Sequence, residues 1–312
     1  MSASSDVPFR EHQSMQVTGR LAPTPSGQLH LGNICAFAAA WLSARSQQGR
    51  LLLRIEDLDT TRARPAVEAD QRHDLEWLGL TWDVETPRQQ ARDYEVVRER
   101  LSDRTYFCRC TRAQIRAGGG TYPGTCRDLG LTAGTLRFRL PPGAVAFRDR
   151  CWGERRIDPG RFGDPVLQRR DGIYSYNLAV VADDWRDRVT EVVRGADLLD
   201  FTAVQMRLWE ALGAPPPTWL HAPLVVGANG CKLSKSHNGL AIAALRAAGW
   251  EPARVWQLIL PWLGLAGESL ADALELFQPE QMRRGPIVLV DLVDDRVPAP
   301  QEDMRWRDAL AP

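Results

Sequence analysis

The most restrictive pattern in this sequence runs from Gln16 to Ile55. Gln16 to Leu21 reads as a short strand, and Ala22 to Leu31 as a loop of Pro, Ser and Gly. Gly32 to Gln48 is Ala-rich, with Ile34, Phe37, Trp41 and Leu42 at helical spacing, and Gly49 can close that helix. Leu51 to Ile55 is an unbroken apolar run. A strand that is apolar on both faces is buried on both, as in a parallel sheet whose crossovers are helices. The unit is therefore β-loop-α-β, the opening of a doubly wound nucleotide-binding (Rossmann-like) α/β fold.

The pattern continues with a helix from Pro65, carrying Val67, Leu75 and Leu78, and a further helix over about Arg92 to Ser102. Tyr106 to Cys126 interrupts it with three cysteines and a Gly-rich run, and short strands follow at Leu136 to Leu140 and Val145 to Arg148. From Gly172 the α/β pattern resumes. Strands are expected at Leu178 to Val181, Val189 to Val193 and Leu220 to Val226, and a helix at Phe201 to Leu212. Two more helices are expected near Leu240 to Ala248 and Ala253 to Leu263. The expected organisation is a tail (1–15), two catalytic halves (16–107 and 172–238), an insert (108–171) and a short C-terminal helical region (239–312). Met1 to Gln16 is polar, without the apolar stretch of a signal peptide. No apolar run approaches the roughly 20 residues of a membrane span. The expectation is a cytoplasmic chain with no membrane role.

Lysine and arginine together number 39, equal to the acidic residues, so net charge alone does not require nucleic acid. Its distribution is uneven. Between Arg137 and Arg170 nine arginines face four acids, which suits either a phosphate backbone or a solvated arginine face. Only two of the 39 basic residues are lysines, and both lie in Lys232-Leu233-Ser234-Lys235-Ser236. Lysine is a compact, mobile point charge, whereas arginine is a wide planar fork. A segment that keeps lysine in an arginine-rich chain fits phosphate neutralisation.

The first loop places His30 beside a helix start, where free N–H groups and the helix dipole favour phosphate. Gly27 and Gly32 match neither the dinucleotide glycine fingerprint nor the phosphate-loop pattern. Pro-Thr-Pro-Ser-Gly-Gln-Leu-His-Leu-Gly-Asn (23–33) resembles the first signature of class I aminoacyl-tRNA synthetases in its glutamyl form, and Lys-Leu-Ser-Lys-Ser (232–236) resembles the second. Asn33 stands where the first signature usually carries a second histidine. The resemblance covers roughly residues 17 to 240. It implies ATP binding by His30, Gly32, Asn33 and Lys235, with Mg2+, and catalytic roles for His30, Lys232 and Lys235.

Arg20 and Glu56 end strands whose carboxyl ends face the ligand crevice. Glutamate needs a cation for its side-chain carboxylate and an anion for its ammonium, which these two residues supply. The resemblance extends the glutamate pocket to Arg20, Ala22, Thr24, Glu56, Tyr176 and Arg194. Cys108, Cys110 and Cys126 are spaced for a metal rather than a disulfide in a cytosolic chain, and zinc favours four donors. The resemblance points to Tyr122 as the fourth donor of a structural Zn2+; water or a residue outside the motif are the alternatives. Cys35, Cys151 and Cys231 read as ordinary thiols. The expected fold is thus a Rossmann-like α/β catalytic domain with an inserted zinc-bearing α+β subdomain and a short C-terminal helical region.

Only 76 residues follow Ser236, too few for the large anticodon-reaching region of ordinary glutamyl-tRNA synthetases. That length, the run Arg-Gly-Ala-Asp-Leu-Leu (194–199) and the Cys/Tyr/Cys pattern resemble the glutamyl-queuosine tRNA(Asp) synthetases. The implied activity is ATP-dependent glutamate activation and transfer to queuosine in the tRNA(Asp) anticodon stem-loop, by a monomer. The alternatives are an ordinary enzyme charging tRNA(Glu) and a catalytically silent RNA-binding paralogue.

Overall fold

The computed structural model describes residues 16–227, 230 and 241–289. The tail 1–15, the segment 231–240 with Lys232, Lys235 and Cys231, and residues 290–312 lie outside the described residues.

Strand β1 (Thr18–Leu21), helix α1 (Leu31–Ser46) and strand β2 (Arg50–Leu53) form the expected parallel unit. Helix α2 (Pro65–Trp77) leads to β3 (Val84–Glu85), which extends the sheet in parallel beside β2. Alanines at 38, 39, 40 and 44 are buried in α1, so its backbone can lie close to the strands it covers. The helix closes through Gln48, which takes φ 51°. Gly49 has a different cause: a Cβ there would approach Val17 O to 2.7 Å.

Helix α3 (Glu95–Arg100), shorter than expected, precedes β4 (Thr105–Cys108), α4 (Arg112–Ala117) and β5 (Thr135–Phe138). Next come β6 (Val145–Asp149), β7 (Gly153–Ile157) and β8 (Val166–Gln168). Strands β4, β5 and β8 form a separate antiparallel sheet. The β6–β7 hairpin falls inside the expected insert, 108–171, but pairs elsewhere. It joins β9 (Glu191–Gly195) and β10 (Thr218–Ala222) in the order β7-β6-β10-β9, with β10 parallel to both β6 and β9.

The expected strand at Leu178 to Val181 is instead part of helix α5 (Tyr176–Arg186). Residues 178–184 are all buried there, and a short, fully apolar run carries no period that separates strand from helix. Helix α6 (Thr202–Ala211) matches its expectation. The single strand expected over Leu220 to Val226 is split into β10 and β11 (Val225–Gly227) around Pro223, which has no N–H to donate. Helices α7 (Ile242–Ala247), α8 (Pro252–Leu263) and α9 (Leu270–Leu276) lead to β12 (Ile287–Leu289), which pairs with β11. Helices α8 and α9 pack on α1.

Strand β1 is an edge of the β1-β2-β3 sheet, and that edge packs beside β9, an edge of the β7-β6-β10-β9 sheet. The Thr190 N–H donates to Thr18 O at 2.9 Å, and the Thr18 N–H donates to Thr190 Oγ1 at 2.9 Å. The chain leaves β1 toward one neighbour and returns to the other from a distant part of the sequence. This switch point is where open α/β sheets form their ligand crevice.

Candidate active site

A cleft of about 310 Å3 opens at the carboxyl ends of β1 and β9. Arg20, Ala22, Thr24 and Glu56 line it from the β1–β2 side, and Tyr176 and Arg194 from the other. His30, Gly32 and Asn33 line it from the start of α1. The structure thus brings together every expected pocket residue that it describes. Tyr176 keeps 41% of its surface exposed, which puts it at the lip.

The floor is a buried charge network. Arg20 donates through Nε to Asp184 Oδ1 at 3.2 Å and through Nη1 to Val193 O at 2.9 Å. Arg54, fully buried, donates to the same Asp184 oxygen at 2.6 Å and to Glu56 Oε1 at 3.2 Å. Burial pushes the Glu56 carboxyl above its ordinary value, and Arg54 and Arg20 offset that only in part. A desolvated carboxylate of this kind gains from a bound cation. Arg194 differs from the other two arginines because its hydrogen-bond partners are neutral groups: His221, Gln205, Thr202 and Leu198 O. Arg20 and Arg54 are paired with Asp184 and Glu56, Asp187 lies 3.7 Å from Arg54, and Arg194 hydrogen-bonds to no carboxylate among the described residues. An arginine held by neutral partners keeps its charge for an anionic group of a ligand.

His30 is the N-cap of α1, and Asn33 completes a reciprocal capping box. His30 Nδ1 accepts the Asn33 N–H at 3.3 Å, and Asn33 Oδ1 accepts the His30 N–H at 3.1 Å. Because Nδ1 accepts, the proton of a neutral His30 ring sits on Nε2. Asn33 therefore orients His30. Behind the loop, Gln71 of α2 donates to Thr24 O at 2.9 Å and Gly27 O at 2.7 Å. Ala241, which follows the lysine segment, forms a β-bridge with His30, and the Ile242 N–H donates to Leu29 O at 2.8 Å.

The three clustered cysteines converge away from this cleft. Cys108 ends β4, Cys110 precedes the capping box of α4, and Cys126 follows Tyr122. Their sulfurs lie within 4.8 Å of one another, with Cys110 Sγ 3.6 Å from Cys126 Sγ. Tetrahedral zinc with bonds of about 2.3 Å would place its sulfurs about 3.8 Å apart, so this triad could hold a metal. Burial opposes ionisation of Cys126, but the Arg109 backbone and hydrogen bonds from Cys110, Tyr122 and Cys108 outweigh it and lower the thiol to about 7. Tyr122 Oη accepts the Cys126 N–H at 2.8 Å, so the phenol faces the triad. Cys35 and Cys151 are separate buried thiols.

The family model for the catalytic domain of class I tRNA synthetases (E and Q) matches residues 16–122 and 131–292. Glutamyl-Q tRNA(Asp) synthetases from Symbiobacterium thermophilum and Nitratidesulfovibrio vulgaris are 43% and 42% identical over 85% and 89% of this chain. The alignments span 90% and 97% of those two proteins. The Pseudomonas putida protein of the same name is 41% identical over 92% of this chain and 96% of its own. The chain belongs to the glutamyl-Q tRNA(Asp) synthetase family of class I synthetases. Among solved structures, glutamate-tRNA synthetase from Elizabethkingia anophelis matches with a TM-score of 0.77 at 26% identity, over 88% of this chain and 68% of that one. A glutamate tRNA ligase from Elizabethkingia meningosepticum, in complex with its amino acid, also has a TM-score of 0.77, at 25% identity over 88% and 67%.

Reading of the sequence missed Arg54, Gln71, Asp184, Gln205 and His221, which support the glutamyl-Q family cleft from behind. Two signals were available: Arg54 inside an apolar strand, and Asp183-Asp184 ending an apolar run. A charge in such a run needs a buried partner.

Proposed function

We propose that this chain activates glutamate with ATP as glutamyl-adenylate and transfers the glutamyl group to queuosine in the anticodon loop of tRNA(Asp). The carrying observation is the cleft at β1 and β9, where Arg20, Arg194 and Glu56 face the start of α1. Two arginines and a carboxylate at the cleft suit the two carboxylates and one ammonium of glutamate. In this reading Arg194 and Arg20 take carboxylates, Glu56 takes the ammonium, and Ala22, Thr24 and Tyr176 shape the walls.

The α-carboxylate attacks the α-phosphorus of ATP, and pyrophosphate leaves. Charge develops on the phosphoryl oxygens, where the His30 Nε2–H and the N–H groups of α1 would donate. Gly32 and Asn33 hold that end of the site. Lys232 and Lys235 complete the phosphate contacts, and Mg2+ carried with ATP supplies further charge neutralisation. A hydroxyl of the RNA acceptor then attacks the glutamyl carbonyl, and AMP leaves. Residues 16–107 and 172–238 act as the catalytic halves, 108–171 as the insert that meets RNA, and 239–312 as a helical support, in a monomer working in the cytoplasm. Cys108, Cys110 and Cys126 would hold Zn2+ with Tyr122 as fourth donor; there it would cross-link the cysteine-bearing segment of the insert, which packs in a small cluster of its own.

The test supplies labelled glutamate and ATP with queuosine-containing tRNA(Asp) and, separately, tRNA(Glu). Label is expected in tRNA(Asp). Label in tRNA(Glu) alone would overturn the acceptor, and absence of glutamate-dependent pyrophosphate exchange would favour a silent RNA-binding protein.

A further inference from the structure

Arg194 on β9 is 7% exposed and held on several sides. Its Nε donates to His221 Nε2 at 3.0 Å, and Nη1 donates to Gln205 Oε1 at 2.6 Å. Its Nη2 donates to Thr202 Oγ1 at 2.8 Å and to Leu198 O at 3.3 Å. Gln205 turns its oxygen to Arg194 although its Nε2 then has no hydrogen-bond partner among the described residues.

A guanidinium only donates, so His221 Nε2 must accept. The ring proton therefore sits on Nδ1, 2.6 Å from Asp149 Oδ2. Asp149 is fixed in turn, because its Oδ1 accepts the N–H groups of Cys151 and Trp152, each at 2.9 Å. Asp149, His221 and Arg194 come from β6, β10 and β9, adjacent strands of one sheet. His221 has no exposed surface and Asp149 only 1%. Burial also holds the imidazole below its ordinary value, which agrees with a neutral ring.

A guanidinium on a flexible stem needs this restraint here. Asp184, Glu56 and Asp197 are carboxylates at or beneath the same cleft, and a loose Arg194 would turn to one of them. Neutral partners fix its direction without neutralising its charge.

We propose that Asp149 and His221 are positioning residues: the Asp149-selected tautomer of His221 aims Arg194 and so sets the affinity for the glutamate carboxylate. The proposal rests on the reading of Arg194 as a glutamate-binding residue. Neither Asp149 nor His221 touches the substrate in this scheme.

Three variants test it through glutamate-dependent pyrophosphate exchange, with KM read for glutamate and for ATP and unfolding temperature measured alongside. In D149N, the Asn oxygen keeps the two backbone N–H groups and its amide N–H group faces His221. The ring proton then moves to Nε2 and confronts the Arg194 Nε–H. The KM for glutamate should rise about tenfold or more, with the KM for ATP within about twofold. H221N reaches only the Nδ1 position and should show the same rise. H221Q places an acceptor where Nε2 stood and should recover most of that loss. Equal effects of H221N and H221Q, or parallel rises in both KM values, would overturn the relay. Arg194→Lys is the control. If its KM for glutamate does not change, the pocket reading fails; if it changes while D149N and H221N do not, only the relay fails.

Discussion

Gly32 lies against the His30 ring, and a Cβ there would come within 3.1 Å of Nδ1 and 3.2 Å of Cε1. Its glycine is set by that close approach. Gly32→Ala should push the ring off its capping position and slow pyrophosphate exchange by about tenfold, since misplaced donors lose transition-state stabilisation. The unfolding temperature should stay near that of the parent; an unchanged exchange rate would show that ring placement does not matter. Glu56 offers a second residue-scale test. It accepts from Arg54 at 3.2 Å and faces the cleft. Glu56→Gln removes the anion for the ammonium and should raise the KM for glutamate by about 10–100-fold, as for a charged hydrogen bond worth about 1.5–3 kcal/mol. A KM that stays at the parent value would remove Glu56 from the pocket.

Between elements, α2 and α7 meet through an ion pair whose carboxylate is buried and whose guanidinium is partly exposed. Asp74 Oδ1 accepts from Arg246 at 3.2 Å, while Oδ2 has no hydrogen-bond partner among the described residues. Burial raises the Asp74 carboxyl from 3.8 to about 6, with Arg246 opposing and Asp70 adding to the rise. Because the folded value exceeds the unfolded one, the folded state holds this proton between those two values. The resulting stabilisation is full below about 3.8, falls as pH rises through the window up to about 6, and is lost above it. Asp74→Asn should therefore raise the unfolding temperature at pH 7 by about 2–4 °C, by about half as much at pH 5 and hardly at all near pH 3, on the scale of about 1 kcal/mol. A gain independent of pH would contradict this account. The element scale also explains the misread helix. Leu178 to Val181 is apolar throughout because α5 is covered, and Asp183 and Asp184 at its far end are met by Arg92 and by Arg54 and Arg20. Those partners come from remote parts of the chain, so no local pattern announces the helix.

At the scale of the whole molecule, the described residues form two main apolar clusters and a small third one at Cys108, Tyr122 and Cys126. The insert's strands contribute Leu136, Phe138, Phe147 and Leu167 to the second cluster, but Cys108, Tyr122 and Cys126 pack only in the small third one, which is why a metal there would matter for the stability of that segment. The purified protein should carry about one zinc per chain. Chelation, or Cys108→Ser, should lower the unfolding temperature of the insert while glutamate-dependent pyrophosphate exchange, carried out at the cleft, largely persists. Full retention of stability after metal removal, or exchange lost in proportion to metal, would contradict a purely structural site. The insert is also tied to the main sheet more closely than the boundaries 108–171 imply, because the β6–β7 hairpin supplies Asp149 next to β10.

Local chemistry in the sequence was enough to set the opening β-loop-α-β unit, the order of the two signatures and the grouping of Cys108, Cys110 and Cys126. These depend on side-chain periods and spacings within a few turns of chain. The supports of the cleft were not legible in that way. Arg20 meets Asp184 across 164 residues, Arg54 meets the same carboxylate across 130, and His221 meets Asp149 across 72. Which of these charged and polar groups became partners depended on strand arrangement, with β1 paired to β2 and packed beside β9, and β10 between β6 and β9. Burial then made each pairing obligatory, because an ion or imidazole removed from water is stable only against a partner that the assembled sheet brings within reach.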